Sequence, residues 1–268
     1  MHIVVCVKAV PASTEVKMDP VTNTIVRDGG ASVVNPFDAT ALEVALSLAE
    51  ERRRAGELCR VSVLSMGIPA TEALLRDCLA RGADGALLLS DRAFAGADTL
   101  ATTYALSCGI AHLAEQWGEP DLVLCGKMAV DGDTAQIGPE LAATLGTTCA
   151  TDVREVLTCG ADAIAVRAAV DGGTAALELP LPAVLTLARE AAQLRMPSIA
   201  GVRAAAEMPA EVLDAAAVGA DIARTGLAGS PTQVVRSFVP ESRHESVAVD
   251  GTPVEQAIRL VEIIEGVA

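Results

Sequence analysis

Aromatic side chains are nearly missing from this chain: one Trp, one Tyr and three Phe in 268 residues. A groove that holds single-stranded nucleic acid by stacking bases on rings has too little material here. Positive charge is also short, with 20 Lys and Arg against 35 Asp and Glu and a net charge of −15. That balance argues against nucleic acid and against anionic membrane surfaces as partners. No apolar run approaches the roughly 20 residues that span a bilayer, so no membrane insertion is expected. The seven cysteines are odd in number and lack C-x-x-C spacing. They read as thiols of a reducing compartment, not as a disulfide frame or a zinc site. Met1 leads straight into an apolar segment with no charged n-region, and a cytoplasmic location is expected. Catalytic signatures are missing too: no Walker A pattern, no G-x-G-x-x-G after the first strand, no G-x-S-x-G and no H-E-x-x-H. His2, His112 and His244 lie far apart in the sequence, and each reads as structural or solvated. No nucleophile with a matching base emerges, so no catalytic residue is assigned. The chemistry is expected to reside in a bound group.

What the chain does hold is aliphatic residues, alanine above all: half of it is apolar. Small side chains of this kind suit helices packed closely on a parallel sheet. Apolar runs at 2–7, 61–65, 86–89 and 122–125 read as strands, and helical spacing appears at 35–54, 70–81, 98–117 and 135–145. This strand–helix alternation predicts an α/β fold with a doubly wound, mostly parallel sheet and right-handed crossovers. After Gly146 the pattern changes to short strands at 153–157, 163–170, 174–179 and 184–187. Asp171-Gly172-Gly173 reads as a hairpin turn between the second and third of these. They are expected to extend the sheet or to form an antiparallel flap on it. From Arg189 the rhythm is lost: 223–240 reads as extended and 253–265 as a last amphipathic helix. The expected organisation is an α/β nucleotide-binding domain at 1–190 and an extended C-terminal arm at 191–268. A partner subunit is the natural surface for that arm.

The segment 121–146, DLVLCGKMAVDGDTAQIGPELAATLG, places a polar turn and a helix start just beyond a strand. Unpaired amides at such a place attract phosphates of nucleotide ligands. The same residues also read as a well-capped helix, with Asp133 as N-cap and Gln136 completing a capping box. Asp131 and Asp133 as a metal pair is the weaker reading, because the intervening glycine suits a turn; no metal site is assigned. Four loops would share the carboxyl edge of the sheet: Lys8-Ala9-Val10-Pro11, Ser65-Met66-Gly67, the stretch 90–102 and the stretch 126–136. Ala9, Gly67, Gly96 and Gly132 would let a ligand approach the backbone. Thr99, Thr102, Thr134 and Gln136 would offer neutral donors. Asp38 and Asp131 would accept from ribose hydroxyls or an adenine amino group. Any one loop reads equally as an ordinary connection; four at one edge point to a nucleotide site.

Several motifs carry a resemblance: VCVKAVP at 5–11, NPFDATALEVAL at 35–46, LSMG at 64–67 and RGADGALLLSDRAFAGADTLATTYAL at 81–106. CGKMAVDGDTAQIGPELAATLG at 125–146, LPLPAVLT at 179–186 and LAGSPTQVVRSFVP at 227–240 continue it. In these the chain resembles the beta subunit of electron transfer flavoproteins. The resemblance implies an adenine-nucleotide-alpha-hydrolase-like, Rossmann-like fold and a heterodimer in which a C-terminal arm embraces an alpha subunit holding FAD. It implies a nucleotide in the beta subunit: AMP in the housekeeping type, a second FAD reduced by NADH in the electron-bifurcating type. The stretches at 90–102 and 227–240 look more like the bifurcating type. Ala9, Asp38, Met66, Thr99, Thr102, Asp131, Thr134 and Gln136 then fall in the nucleotide pocket. The backbone of Asp133, Thr134, Ala135, Gln136 and Ile137, beside Gly132, then meets the phosphates. The resemblance also implies docking on a flavin dehydrogenase, not identified, through 191–207, with Ile199 in the anchor position. In relatives this segment carries Asn-Glu-Pro-Arg and Met-Lys-Ala-Lys, whereas here Arg195 and Arg203 are its only cations. The implied activity is that of an electron carrier, with any NADH oxidation belonging to the heterodimer. A stand-alone adenine-nucleotide-binding module is the alternative, and an ATP-pyrophosphatase-like enzyme is disfavoured by the missing Ser-Gly-Gly loop.

Overall fold

The chain alternates strands and helices from its first residues, because buried aliphatic runs and helices with one apolar face succeed each other. The computed structural model describes residues 1–12, 32–235 and 248–267. Strand β1 (His2–Cys6) is fully buried and is followed by a short ribbon of β2 (Ala9–Pro11) and β3 (Ser32–Val34). Helix α1 (Pro36–Arg54) starts with proline, carries Asp38 in its first turn and ends on Arg52, Arg53 and Arg54. Those charges match the sign of the helix dipole at each end. Then come β4 (Arg60–Met66), α2 (Glu72–Arg81), β5 (Gly85–Leu89), α3 (Thr99–Trp117), β6 (Leu122–Gly126) and α4 (Ile137–Leu145). Strands β7 (Thr148–Cys159), β8 (Ala163–Val170), β9 (Gly173–Pro180) and β10 (Ala183–Leu187) follow, then α5 (Ile199–Glu207) and β11 (Glu211–Leu213).

The nine-stranded sheet has the order β11-β5-β4-β1-β6-β10-β7-β8-β9. Pairing is parallel from β11 to β7 and antiparallel from β7 to β9. The late strands therefore extend the sheet, and the turn after Val170 joins β8 to β9 as the Asp-Gly-Gly signal implies. One face buries α1, α2 and α5, with Leu42, Leu75, Leu79 and Ala205 packed on β1, β4, β6 and β10. The other buries α3 and α4, with Leu106, Ile110, Leu113 and Leu141 on the opposite side of the same strands. The strand order reverses around β1: β4 and β5 lie on one side of it, β6 and β10 on the other. In a doubly wound sheet that reversal opens a crevice at the carboxyl edge.

Two stretches that read as irregular are ordered. α5 packs on α2, and β11 adds a parallel strand beside β5. Within 223–240, residues 226–229 fold into a turn instead of an extended strand, while 236–240 lie outside the described residues. The compact unit that holds the sheet runs to Val234, and a second unit begins at Val235. In that second unit, α6 (Pro253–Val267) shows exposed Val254, Ile258 and Val261 at helical spacing. No described helix is long and apolar enough to cross a membrane.

Candidate functional site

The crevice is framed by the ends of β1 and β6, and a buried carboxylate ties them. Asp38, in the first turn of α1, accepts from the Lys8 amide at 2.8 Å through one oxygen and from the Gly126 amide at 2.8 Å through the other. Only 6% of it is exposed. Burial pushes its carboxyl up to about 6, against the pull of those two amides. A side chain at position 126 would collide with Phe37 and with the Asp38 carboxylate, so glycine lets α1 press on the strand end. Asn35, 1% exposed, works beside it. Its amide donates to the Met128 carbonyl at 2.9 Å, and its carbonyl oxygen accepts from the Val130 amide at 3.2 Å. Lys8 closes the gap from outside, with its Nζ 2.6 Å from Asp131. The neighbouring thiols are not reactive groups: burial drives Cys6 up to about 12 and Cys125 well above its usual range.

Beyond β6 the backbone turns sharply and stays exposed. Asp133 and Ala135 both take left-handed conformations, at φ 50° and 54°. Helix α4 begins at Ile137, after Gln136, which makes no side-chain cap. This corrects the expected helix start at 135 and the capping box with Asp133 as N-cap. A residue with positive φ cannot continue into a right-handed turn, so Asp133 closes a turn instead, its amide donating to the Ala129 carbonyl at 2.9 Å. The consequence is a run of free donors. Among the described residues, the amides of Thr134, Ala135, Gln136, Ile137 and Gly138 have no hydrogen-bond partner. Gly138 packs so closely on Thr186 of β10 that a Cβ there would overlap it, and this seats the helix start against the sheet edge.

The α3 side of the mouth is built from hydroxyls. Thr99 Oγ1 lies 3.2 Å from Gln136 Oε1 and 3.0 Å from Glu140 Oε1, and Thr103 donates to Glu140 Oε2 at 3.0 Å. Thr102 lies in the same turn of α3, half-buried, and Thr134 is exposed. Ala9 sits in the ribbon strand β2, paired with Val34. Met66 ends β4, half-buried, and the Ser65 hydroxyl just before it is buried with no partner among the described residues. The structure thus brings Asp38, Asp131, Thr99 and Gln136 to one sheet edge, with Met66 at the end of β4 and Ala9 in the ribbon that follows β1. The roles of Asn35, Thr103 and Glu140 were not foreseen. Thr99 and Thr103 one helical turn apart, and Glu140 one turn after Gln136, were the available signal.

Arg195 is turned inward. It pairs with Glu43 at 2.8 Å and with Glu50, both on α1, and its own amide donates to Glu43 at 2.9 Å. Four residues on, Ile199 is 84% exposed, and Met196 in the same segment is 83% exposed. A cleft of about 420 Å³ lies between α3, the end of α4 and residues 223–231. There the Arg224 guanidinium stacks 3.8 Å over the Tyr104 ring. His2 is structural, its ring 2.8 Å from the Gly118 carbonyl and 2.7 Å from the Ser62 hydroxyl. His112 meets Glu211 at 3.0 Å, and His244 lies outside the described residues.

Residues 22–218 match the electron transfer flavoprotein domain. The electron transfer flavoprotein subunit beta of Megasphaera elsdenii is 44% identical over 91% of this chain and 89% of its own length. Protein FixA of Azorhizobium caulinodans is 42% identical over 93% of this chain and 88% of its own. The caffeyl-CoA reductase-Etf complex subunit CarD of Acetobacterium woodii is 41% identical over 96% and 94%.

Proposed function

The chain belongs to the electron transfer flavoprotein family as a beta subunit, and we propose that its sheet-edge mouth holds the nucleotide end of FAD, with NADH as an electron donor. One observation carries this reading: five consecutive amides, 134–138, without partners among the described residues, lie at the carboxyl edge beside the reversal in strand order. Free amides at a helix start bind phosphate oxygens, and the two left-handed residues aim them without ligand-induced rearrangement. The exposed Asp133 carboxylate lies on the loop side of that run, so the backbone and not the side chain meets the anion. Thr99, Thr102, Thr134 and Gln136 line the approach for the sugar, and Asp131 is drawn aside by Lys8. Asp38 holds the two strand ends at fixed separation from beneath. The flavin, when bound, supplies the electron-accepting and electron-donating chemistry. The chain's own residues bind, orient and shield it.

The alpha subunit, a flavin dehydrogenase and a cytoplasmic setting complete the proposal. Ile199 and Met196 offer an exposed apolar tip for a dehydrogenase, and Arg195 acts behind them by fastening that tip to α1. The FAD-and-NADH reading rests on the wording of 90–102 and 227–240 and on the likeness to CarD. AMP in the same cradle is the competing occupant. Cofactor content of the complex co-expressed with its alpha subunit decides between them. Two FAD per heterodimer and bleaching of flavin absorbance by NADH support the proposal, and one FAD plus AMP overturns its flavin part. Replacing Thr134 and Gln136 together by alanine is expected to weaken nucleotide retention about tenfold with the fold intact. Unchanged cofactor content in that double variant refutes the cradle.

A further inference from the structure

We propose that Asp98 is a positioning residue that couples occupancy of the nucleotide mouth to the docking of segment 225–232 on the sheet-bearing unit; this rests on the nucleotide reading above. One oxygen of Asp98 caps α3, accepting from the Ala101 amide at 3.1 Å. The other accepts twice from one residue of the tail, from the Thr232 amide at 3.0 Å and from its hydroxyl at 2.7 Å. The Asp98 amide donates to the Ser230 hydroxyl at 2.8 Å, and that hydroxyl donates on to the Gly226 carbonyl at 2.7 Å. The Leu227 amide reaches the Ala95 carbonyl at 3.1 Å, and Gly226 packs so tightly on the Ala93 carbonyl that no Cβ fits. Desolvation raises the Asp98 carboxyl, but the bonds from Ala101 and Thr232 outweigh it and hold the group below its usual range.

The other side of the same helical turn faces the cradle. Thr99 follows Asp98 directly and contacts Gln136 and Glu140, and Thr103 holds Glu140 one turn on. The first turn of α3 therefore touches the tail through its cap and the phosphate loop through its hydroxyls. Asp98 cannot follow a departing Thr232 without loosening the bond to Ala101, and an uncapped first turn no longer fixes Thr99. A ligand that orders 133–138 and Thr99 stabilises that turn and, by reciprocity, the clasp on 225–232. The sheet-bearing unit ends two residues later, at Val234.

Hydrogen exchange on the full chain in complex with its alpha subunit tests this, with AMP added in one arm and FAD in the other. Nucleotide is expected to slow exchange at 133–138 and, in parallel, at 225–232 by about threefold or more. Thr232→Val keeps Asp98 and its bond to Ala101. It is expected to speed exchange at 225–232 about fivefold, the scale of one lost hydrogen bond. It is also expected to weaken nucleotide binding about threefold. Thr232→Ser retains the hydroxyl and is expected to restore both. Protection at 133–138 with no change at 225–232, or unaltered affinity in Thr232→Val, overturns the coupling and leaves the nucleotide site standing. No protection at 133–138 from either nucleotide overturns the site itself and the coupling with it.

Discussion

The two sides of the mouth are built on opposite plans. Asp38 and Asn35 are buried and committed: carboxylate to two amides, side-chain amide to a carbonyl and an amide. Around 131–136 the backbone is exposed and bent through two left-handed residues, and from 134 to 138 it carries amides that no described group uses. A buried network fixes distance and direction but has no capacity left for a ligand. An exposed run of free amides has that capacity but needs a fixed base. The site works as a pairing of the two, with Gly126 and Gly138 as the close contacts that press each side onto the sheet.

Four substitutions or conditions separate those plans. The largest effect is expected from Asp38→Ala, which strands the buried Gly126 amide and the part-buried Lys8 amide; at about 1–3 kcal/mol each, denaturant unfolding is expected to show a loss of about 2–6 kcal/mol. A loss under 0.5 kcal/mol would show that water replaces the carboxylate and that this side is not committed.

The second effect comes from pH. Burial raises Asp38 from 3.8 to about 6, so the folded chain holds the proton more tightly than the unfolded one. Its contribution is complete below the unfolded value and is lost as pH rises through 6, about 3 kcal/mol in all. His2 runs the other way, since burial lowers it and acid then costs stability. The readout is therefore the difference between the wild type and Asp38→Asn across pH 4–8. A flat difference would show that the two amides hold Asp38 ionised throughout.

Gly138→Ala comes third, at about 1–3 kcal/mol, since the added methyl overlaps Thr186. Here nucleotide retention should fall more than stability does, and equal stability with normal retention would mean that α4 shifts without harm. Lys8→Met is the smallest. Its ion pair is half-exposed, 49% on the lysine side, so the expected change is about 0–1 kcal/mol. A larger change would move Lys8 from the exposed plan to the buried one.

The same contrast decides what could be read from the residues alone. The alternation through Gly146 was legible because buried strands and one-faced helices each leave a period. Asp38 was legible as belonging to the site but not for its task, because its partners lie 30 and 88 residues away and no local pattern records them. The ribbon of β2 and β3, three residues each, is too short to show alternation. β11 is as short, and α5 carries a glycine within an alanine-rich turn, so neither stood out against the surrounding Ala, Pro and Gly. The left-handed bend failed for a different reason. Asp133 tolerates that conformation, but Ala135 pays a steric cost there that its residue type does not announce. The pairing of Arg195 with α1 left no local trace, because Glu43 and Glu50 lie 152 and 145 residues before it.

The carboxylate of Asp38 also sets an order of events in time. Its first partner, Lys8, precedes it in synthesis, while Gly126 follows by 88 residues. At ~5–20 residues per second, a ribosome takes roughly 4 to 18 s to add that stretch. Throughout that interval α1 and the first strands exist with one oxygen of the latch unclaimed and no β6 to face. The mouth therefore cannot close on a nascent chain until β6 and the start of α4 have been made, and the proposed nucleotide finds no finished cradle before then.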